Sequence, residues 1–237
     1  MAPVDEKGAI WEFDPPSSSW TLLSPASTSG LYPEARSYHC MATDGHDTIY
    51  IHAGCPEKGR LSDLWAFNVS SRTWKELAPA PEPARGGTSI AFVDGLLYRM
   101  NGFDGRTEQG GNLDIYAPET NTWSSLTYAP DGQTGPGARS VAVLLAVKIG
   151  GKSHLVTLFG ERDPSALGHQ GAGKMLSDAW AFDIENKTWM RVDAQGDTLP
   201  AARGWFTGDV LAEDKVLVQG GLGESNQRLG DAWILSF

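Results

Sequence analysis

At 237 residues the chain is long enough to bury a substantial core and still fold as one domain. A net charge of -10 would repel phosphate backbones and anionic bilayers, which argues against nucleic acid and membrane surfaces as partners. With 28 Gly, 14 Pro and nine Trp among short apolar runs, the composition predicts an all-β protein of many strands and turns. No apolar run nears the roughly 18 residues of a membrane span, and Met1–Ile10 lacks the basic start and apolar core of a signal peptide, so a cytoplasmic location is expected. Cys40 and Cys55 are too few for a disulfide framework and are expected to be free thiols.

In chain order, Ile10-Trp11-Glu12-Phe13 and Ser19-Trp20-Thr21-Leu22 predict two strands, a partial unit over residues 9–23. Four fuller units follow at 35–78, 84–127, 137–193 and 201–237. Each opens with an arginine after a Pro- or Ala-containing turn (Arg36, Arg85, Arg139, Arg203) and an alternating first strand. A second strand ends in glycine at Gly54, Gly102, Gly160 or Gly221, where a φ above zero would let the backbone turn in a crowded place. A third strand begins Asp-x-aromatic at Asp63, Asp114, Asp178 and Asp231, and a fourth opens on Trp74, Trp123 or Trp189. The last unit has no fourth strand. Either the Trp20 strand closes it, or upstream sequence is missing; the second reading is favoured, because the absent strands are those a longer chain would supply.

A four-stranded unit recurring about every fifty residues, with these glycines and aromatics, resembles the kelch motif of β-propellers. The resemblance implies four-stranded antiparallel blades packed radially, four to five of them represented in an incomplete ring. The start of the first strand and the end of the second would share one mouth, bringing the four arginines to the same face as the loops after the four glycines. Arginines there could bind an anionic small molecule, although their regular recurrence is explained about as well by a role in holding neighbouring loops. The longest connection, Glu161 to Ser177, is the natural place for a site.

That loop, with Phe159-Gly160-Glu161, Asp163-Pro164, Gly168-His169 and Gly171-Ala172-Gly173, is similar to the corresponding loop of plant nitrile-specifier, epithiospecifier and thiocyanate-forming kelch proteins. Supporting matches are Arg36-Ser37-Tyr38-His39, Ala84-Arg85-Gly86-Gly87, Gly102-Phe103-Asp104-Gly105 and Arg203-Gly204-Trp205. The family redirects breakdown of glucosinolate aglycones and depends on ferrous iron held by Glu-x-x-x-Asp-x-x-x-His. The resemblance implies that Glu161 and His169 are iron ligands and that Arg36, Arg85 and Phe103 lie near substrate, with Arg139 and Arg203 around the same mouth. Ser165 stands where the family has aspartate, so Asp163, two residues early, is the candidate third ligand, and Fe(II) is the cofactor the pattern would supply. A solvated Glu161 and a turn-forming His169 are the competing reading.

Other chemistry is poorly supported. Gly171-Ala172-Gly173-Lys174 lacks the spacing of a phosphate-binding loop, the Ser/His pairs at 37/39 and 165/169 lack an orienting acid, and no Cys pair has zinc-ligand spacing. The leading reading is therefore a specifier-like protein acting on a small, reactive, anionic metabolite by lyase-like or rearranging rather than hydrolytic chemistry. Its rival is a non-catalytic module that binds a protein partner, or an inactive truncated relative. Edge strands left open by a missing blade would predict pairing with another chain.

Overall fold

The computed structural model describes residues 3–27, 30–167 and 171–237, and its regular structure is entirely β-strand. Among these residues no helix is long and apolar enough to cross a membrane. β1 (Ile10–Asp14) and β2 (Ser19–Leu23) form a hairpin. The first full blade is β3 (Cys40–Thr43), β4 (Thr48–Gly54), β5 (Leu61–Asn68) and β6 (Thr73–Leu77). The second is β7 (Ser89–Val93), β8 (Leu96–Met100), β9 (Asn112–Ala117) and β10 (Thr122–Thr127). In the third, β11 (Val143–Ile149) and β12 (Lys152–Leu158) are followed by a small hairpin, β13 (Glu161–Arg162) with β14 (Lys174–Met175), before β15 (Ala179–Asp183) and β16 (Thr188–Val192) complete the sheet. β17 (Thr207–Ala212), β18 (Lys215–Gln219) and β19 (Ala232–Ser236) make a three-stranded fourth blade. β2 pairs with β1 and not with β19.

Each blade is an antiparallel meander, and the innermost strands β3, β7, β11 and β17 lie side by side, so the blades are arranged as a β-propeller. The core is three inter-blade layers. Tyr50 and Leu64 of the first blade meet Ile90 and Leu97 of the second, Met100 and Leu113 meet Leu144 and Leu155, and Val156 and Leu158 meet Val216 and Val218. Stacking thus covers faces that an isolated sheet would leave in water. The fourth-strand tryptophans reinforce this: Trp123 Nε1 donates to Ala78 O of the preceding blade at 2.8 Å, and Trp74 Nε1 reaches Gly8 O at 2.7 Å.

The recurring arginine and aspartate form a clamp inside three of the four blades. Arg36 pairs bidentately with Asp63 (2.6 and 2.8 Å), Arg139 with Asp178 (2.9 and 2.8 Å) and Arg203 with Asp231 (2.7 and 2.9 Å). The tryptophan two residues after each aspartate donates its indole N–H to the same carboxylate, which explains why Asp-x-Trp recurs as a unit. The second blade departs from this. Its aromatic is Tyr116, whose hydroxyl turns to Asn121, and Asp114 is taken by Arg99 of β8. Arg85 instead donates to the carbonyls of Pro83 and Asn101. Burial, aided by the neighbouring Arg85 charge, lowers the Arg99 pKa to about 10.

A candidate pocket at the propeller mouth

Two backbone features, repeated in every blade, build one mouth. At the end of each second strand stands Ala53, Asn101, Phe159 or Gly220, each with positive φ, followed by a glycine with φ between 106° and 111°. Any Cβ at Gly54, Gly160 or Gly221 would stand 2.7–2.8 Å from a carbonyl oxygen of the adjoining first-strand segment. The chain then pairs across to residues just after the arginines: Cys55 with Ser37, Phe103 with Gly86, Glu161 with Ser140, and Leu222 with Gly204. The residue two beyond each arginine is also left-handed: Tyr38, Gly87, Val141 and Trp205, with φ of 47–61°. Backbone bonds link these from blade to blade, Gly87 N to Tyr38 O, Val141 N to Gly87 O, and Trp205 N to Val141 O. Left-handed Val is rare for a β-branched residue and costs on the order of 1–3 kcal/mol, so this belt holds strain at the mouth.

The belt and three of the post-glycine residues, Cys55, Phe103 and Glu161, line a cavity of about 200 Å³, whose walls include apolar Tyr38, Phe103, Val141 and Trp205 and the charged Arg60, Glu108 and Glu161. Tyr38 and Trp205 meet edge to face with centroids 5.5 Å apart. Glu161 is only 6% exposed, and its Oε1 accepts the Gly173 N–H at 2.6 Å. Glu108 is brought in by a tight turn. Asp104 accepts the amides of Arg106 and Thr107, Gly105 adopts φ of 101°, and Glu108 returns to pair with Phe103. Burial raises the Glu108 pKa, and the neighbouring Glu161 and Asp163 charges add to the rise. Cys55, a free thiol at the same wall, is likewise raised by burial, against the opposing pull of Arg60.

The residues singled out in the sequence fall in distinct places. Phe103 and Glu161 line the cavity, as does Ser165. Asp163 has a side chain 77% exposed and lines a different cavity with Arg162 and Asp178. His169 lies outside the described residues. Arg36, Arg139 and Arg203 hold the blade carboxylates, Arg85 is buried on backbone carbonyls, and none of the four lines the cavity. Among the described residues no three His, Cys, Asp or Glu side chains cluster closely enough to hold a metal. Sequence reasoning missed Arg60 and Glu108. The Asp104-Gly105 turn signal could have pointed to Glu108, whereas Arg60 follows a plain loop glycine with no pattern to mark it.

Radial blades, Arg-Asp-Trp clamps and a mouth built from post-glycine loops define a kelch-type β-propeller, a class that serves as protein-interaction or ligand-binding modules. Residues 4–160 match the family model described as the KLHDC2/KLHL20/DRC7 Kelch-repeats domain, and the chain belongs to that family. It is similar to N-(sulfonatooxy)prop-2-enimidothioate sulfolyase of Thlaspi arvense, 27% identical over 96% of this chain and 69% of that protein. It is also similar to acyl-CoA-binding domain-containing protein 4 of Arabidopsis thaliana, 26% identical over 93% of the chain and 32% of that protein. Kelch-like protein terF of Aspergillus terreus is 28% identical over 52% of the chain and 28% of its own length. The chain therefore spans about a third of the second relative, and its match to the third covers less than a third of that protein.

Proposed function

We propose that this chain is a specifier-like kelch protein whose mouth cavity holds a small, reactive, anionic metabolite and, with Fe(II) bound, promotes lyase-like or rearranging chemistry on it. The observation that carries this reading is the placement of Glu161 and Ser165, the first two positions of the spaced loop pattern, on one cavity with Phe103. Similarity to a named sulfolyase across 96% of the chain supports it. The donors present suit a hard divalent ion: Glu161 is a buried carboxylate, and Glu108, on the wall of the same cavity, carries a buried Oε1 without a hydrogen-bond partner. Glu161 and His169 would hold the iron. Bound there, it would supply a Lewis acid or one-electron centre. The chain's own residues do the rest: Tyr38, Phe103 and Trp205 pack the substrate body and exclude water, while the Gly173 N–H fixes the Glu161 carboxylate.

The test is Fe(II) content of anaerobically purified protein. Near-stoichiometric iron is expected in the wild type and in Asp163→Asn, which alters the other cavity, and iron should fall at least about tenfold in Glu161→Gln and His169→Ala. Wild-type protein that takes up no Fe(II) sinks the iron-dependent reading and leaves a binding module without this chemistry.

A further inference from the structure

The long loop has no carboxylate at the middle position of its spaced pattern. Ser165 stands there, a neutral hydroxyl that accepts the Leu167 N–H at 3.1 Å, and Asp163 lines the other cavity. A carboxylate reaches this cavity from the second blade instead. Gln109 N donates to Gly102 O at 2.7 Å, and Arg139 N donates to Gln109 O at 3.2 Å, so the chain beside Glu108 is held between the second blade and the third. Gly110 permits this approach, because a Cβ there would stand 2.7 Å from Ala138 Cα. Ser140, next after Arg139, exchanges two backbone bonds of 2.9 Å with Glu161. Two backbone rungs thus connect the segment of Glu108 to that of Glu161, and both side chains line the cavity together with Ser165. Buried polar atoms nearly always have hydrogen-bond partners, yet Glu108 Oε1 has none. Arg60, on the same wall, donates from Nη1 to Gly59 O at 2.9 Å and lies against the Phe103 ring, bonding neither carboxylate. Two carboxylates on one wall repel each other, and a divalent cation between them replaces that repulsion with attraction.

We infer that Glu108 is the metal ligand that takes the place of the missing loop aspartate, so that the ion is held jointly by the second blade through Glu108 and by the third through Glu161. The ligand class is a hard divalent cation that accepts carboxylate oxygens, with Fe(II) as the case at hand. This inference rests on the Fe(II) reading of the cavity and adds to it a residue outside the long loop. It also gives the ion a structural part, because the same ion spans the contact between two blades at the mouth.

The experiment is anaerobic titration of the full chain with Fe(II), read as dissociation constant and as the rise in melting temperature that the metal produces. Glu108→Gln, which keeps the side chain's size and removes its charge, should weaken Fe(II) binding about tenfold or more and lose most of that rise. Adding Ser165→Asp to Glu108→Gln returns a carboxylate to the loop position and should recover most of the affinity. Glu108→Asp, with the charge drawn back by one methylene, should fall between wild type and Glu108→Gln. Circular dichroism and metal-free unfolding midpoints establish that each variant is folded, and Glu108→Asp carries the comparison if Glu108→Gln is unstable. Fe(II) affinity in Glu108→Gln equal to that of the wild type, or a loss that Ser165→Asp leaves unrecovered, would overturn the assignment and leave the iron-dependent reading in place. Wild-type protein that takes up no Fe(II) would remove both.

Discussion

Arg139→Ala is expected to destabilise the protein by about 3–5 kcal/mol, read as a fall in the urea unfolding midpoint. The guanidinium is fully buried, makes two bonds to Asp178 and a third to Phe159 O, and shares the carboxylate with the Trp180 indole. Removing it leaves a carboxylate whose side chain is only 19% exposed with no cation beside it. The corresponding Arg203→Ala should cost less, about 1–3 kcal/mol, because Asp231 is 39% exposed and water can take over part of the solvation. The same pair sets an acid limit. Burial by itself would raise the Asp178 pKa, but the hydrogen bonds from Arg139 and Trp180 outweigh it and hold the carboxyl below its usual 3.8. A folded-state value depressed below the unfolded one contributes stability that is fully present above the unfolded pKa and lost as pH falls through the folded value. The wild type should therefore lose stability below about pH 4, and an Asp178→Asn variant should lack this component. Equal midpoints for Arg139→Ala and wild type would show that the clamp does not hold the third blade.

What could be read from the sequence was the part governed by repetition. The glycines that end the second strands and the Asp-x-aromatic starts of the third strands recur because each answers the same local need, a φ near 106° or a carboxylate to receive Arg and Trp donors. Those needs are written in residue type and spacing, so the propeller followed from them. The site was less accessible for the same reason. The arginines stood out because they repeat, yet in the fold that repetition reflects blade clamps. Arg60 and Glu108 occur once each and reach the cavity only through a loop glycine and an Asx turn. Glu161 was readable from the spaced pattern, while Asp163, just past β13 and with a left-handed φ of 51°, lines a different cavity. A two-residue step along a short hairpin does not predict that change of direction. The order in the long loop was hidden too: the β13–β14 ladder and the Gly173 bond to Glu161 join segments twelve residues apart.

Gly160→Ala should cost about 2–4 kcal/mol and, unlike a purely structural lesion, should disturb the cavity as well. The glycine holds φ of +106°, a region that L residues rarely enter, and a Cβ there would lie 2.8 Å from Ser140 O and 2.9 Å from Ala142 Cβ. The first of these contacts is backbone and cannot rotate away. Relief requires the second strand to move from the first, which breaks the close pairing of Ser140 with Glu161 and the Gly160 N to Arg203 O bond that ties the third blade to the fourth. Because Glu161 is the next residue, its carboxylate must shift with the backbone, and Fe(II) uptake should weaken by more than the loss of folded protein accounts for. Gly95→Ala is the matching control. Gly95 has φ of +78° in the β7–β8 turn but nothing within 4 Å of an added Cβ, so it should show only the backbone strain, about 1 kcal/mol, and unchanged ligand binding. If the two variants unfold at the same midpoint, close approach of the strands is not what requires glycine at the mouth, and the backbone angle alone is.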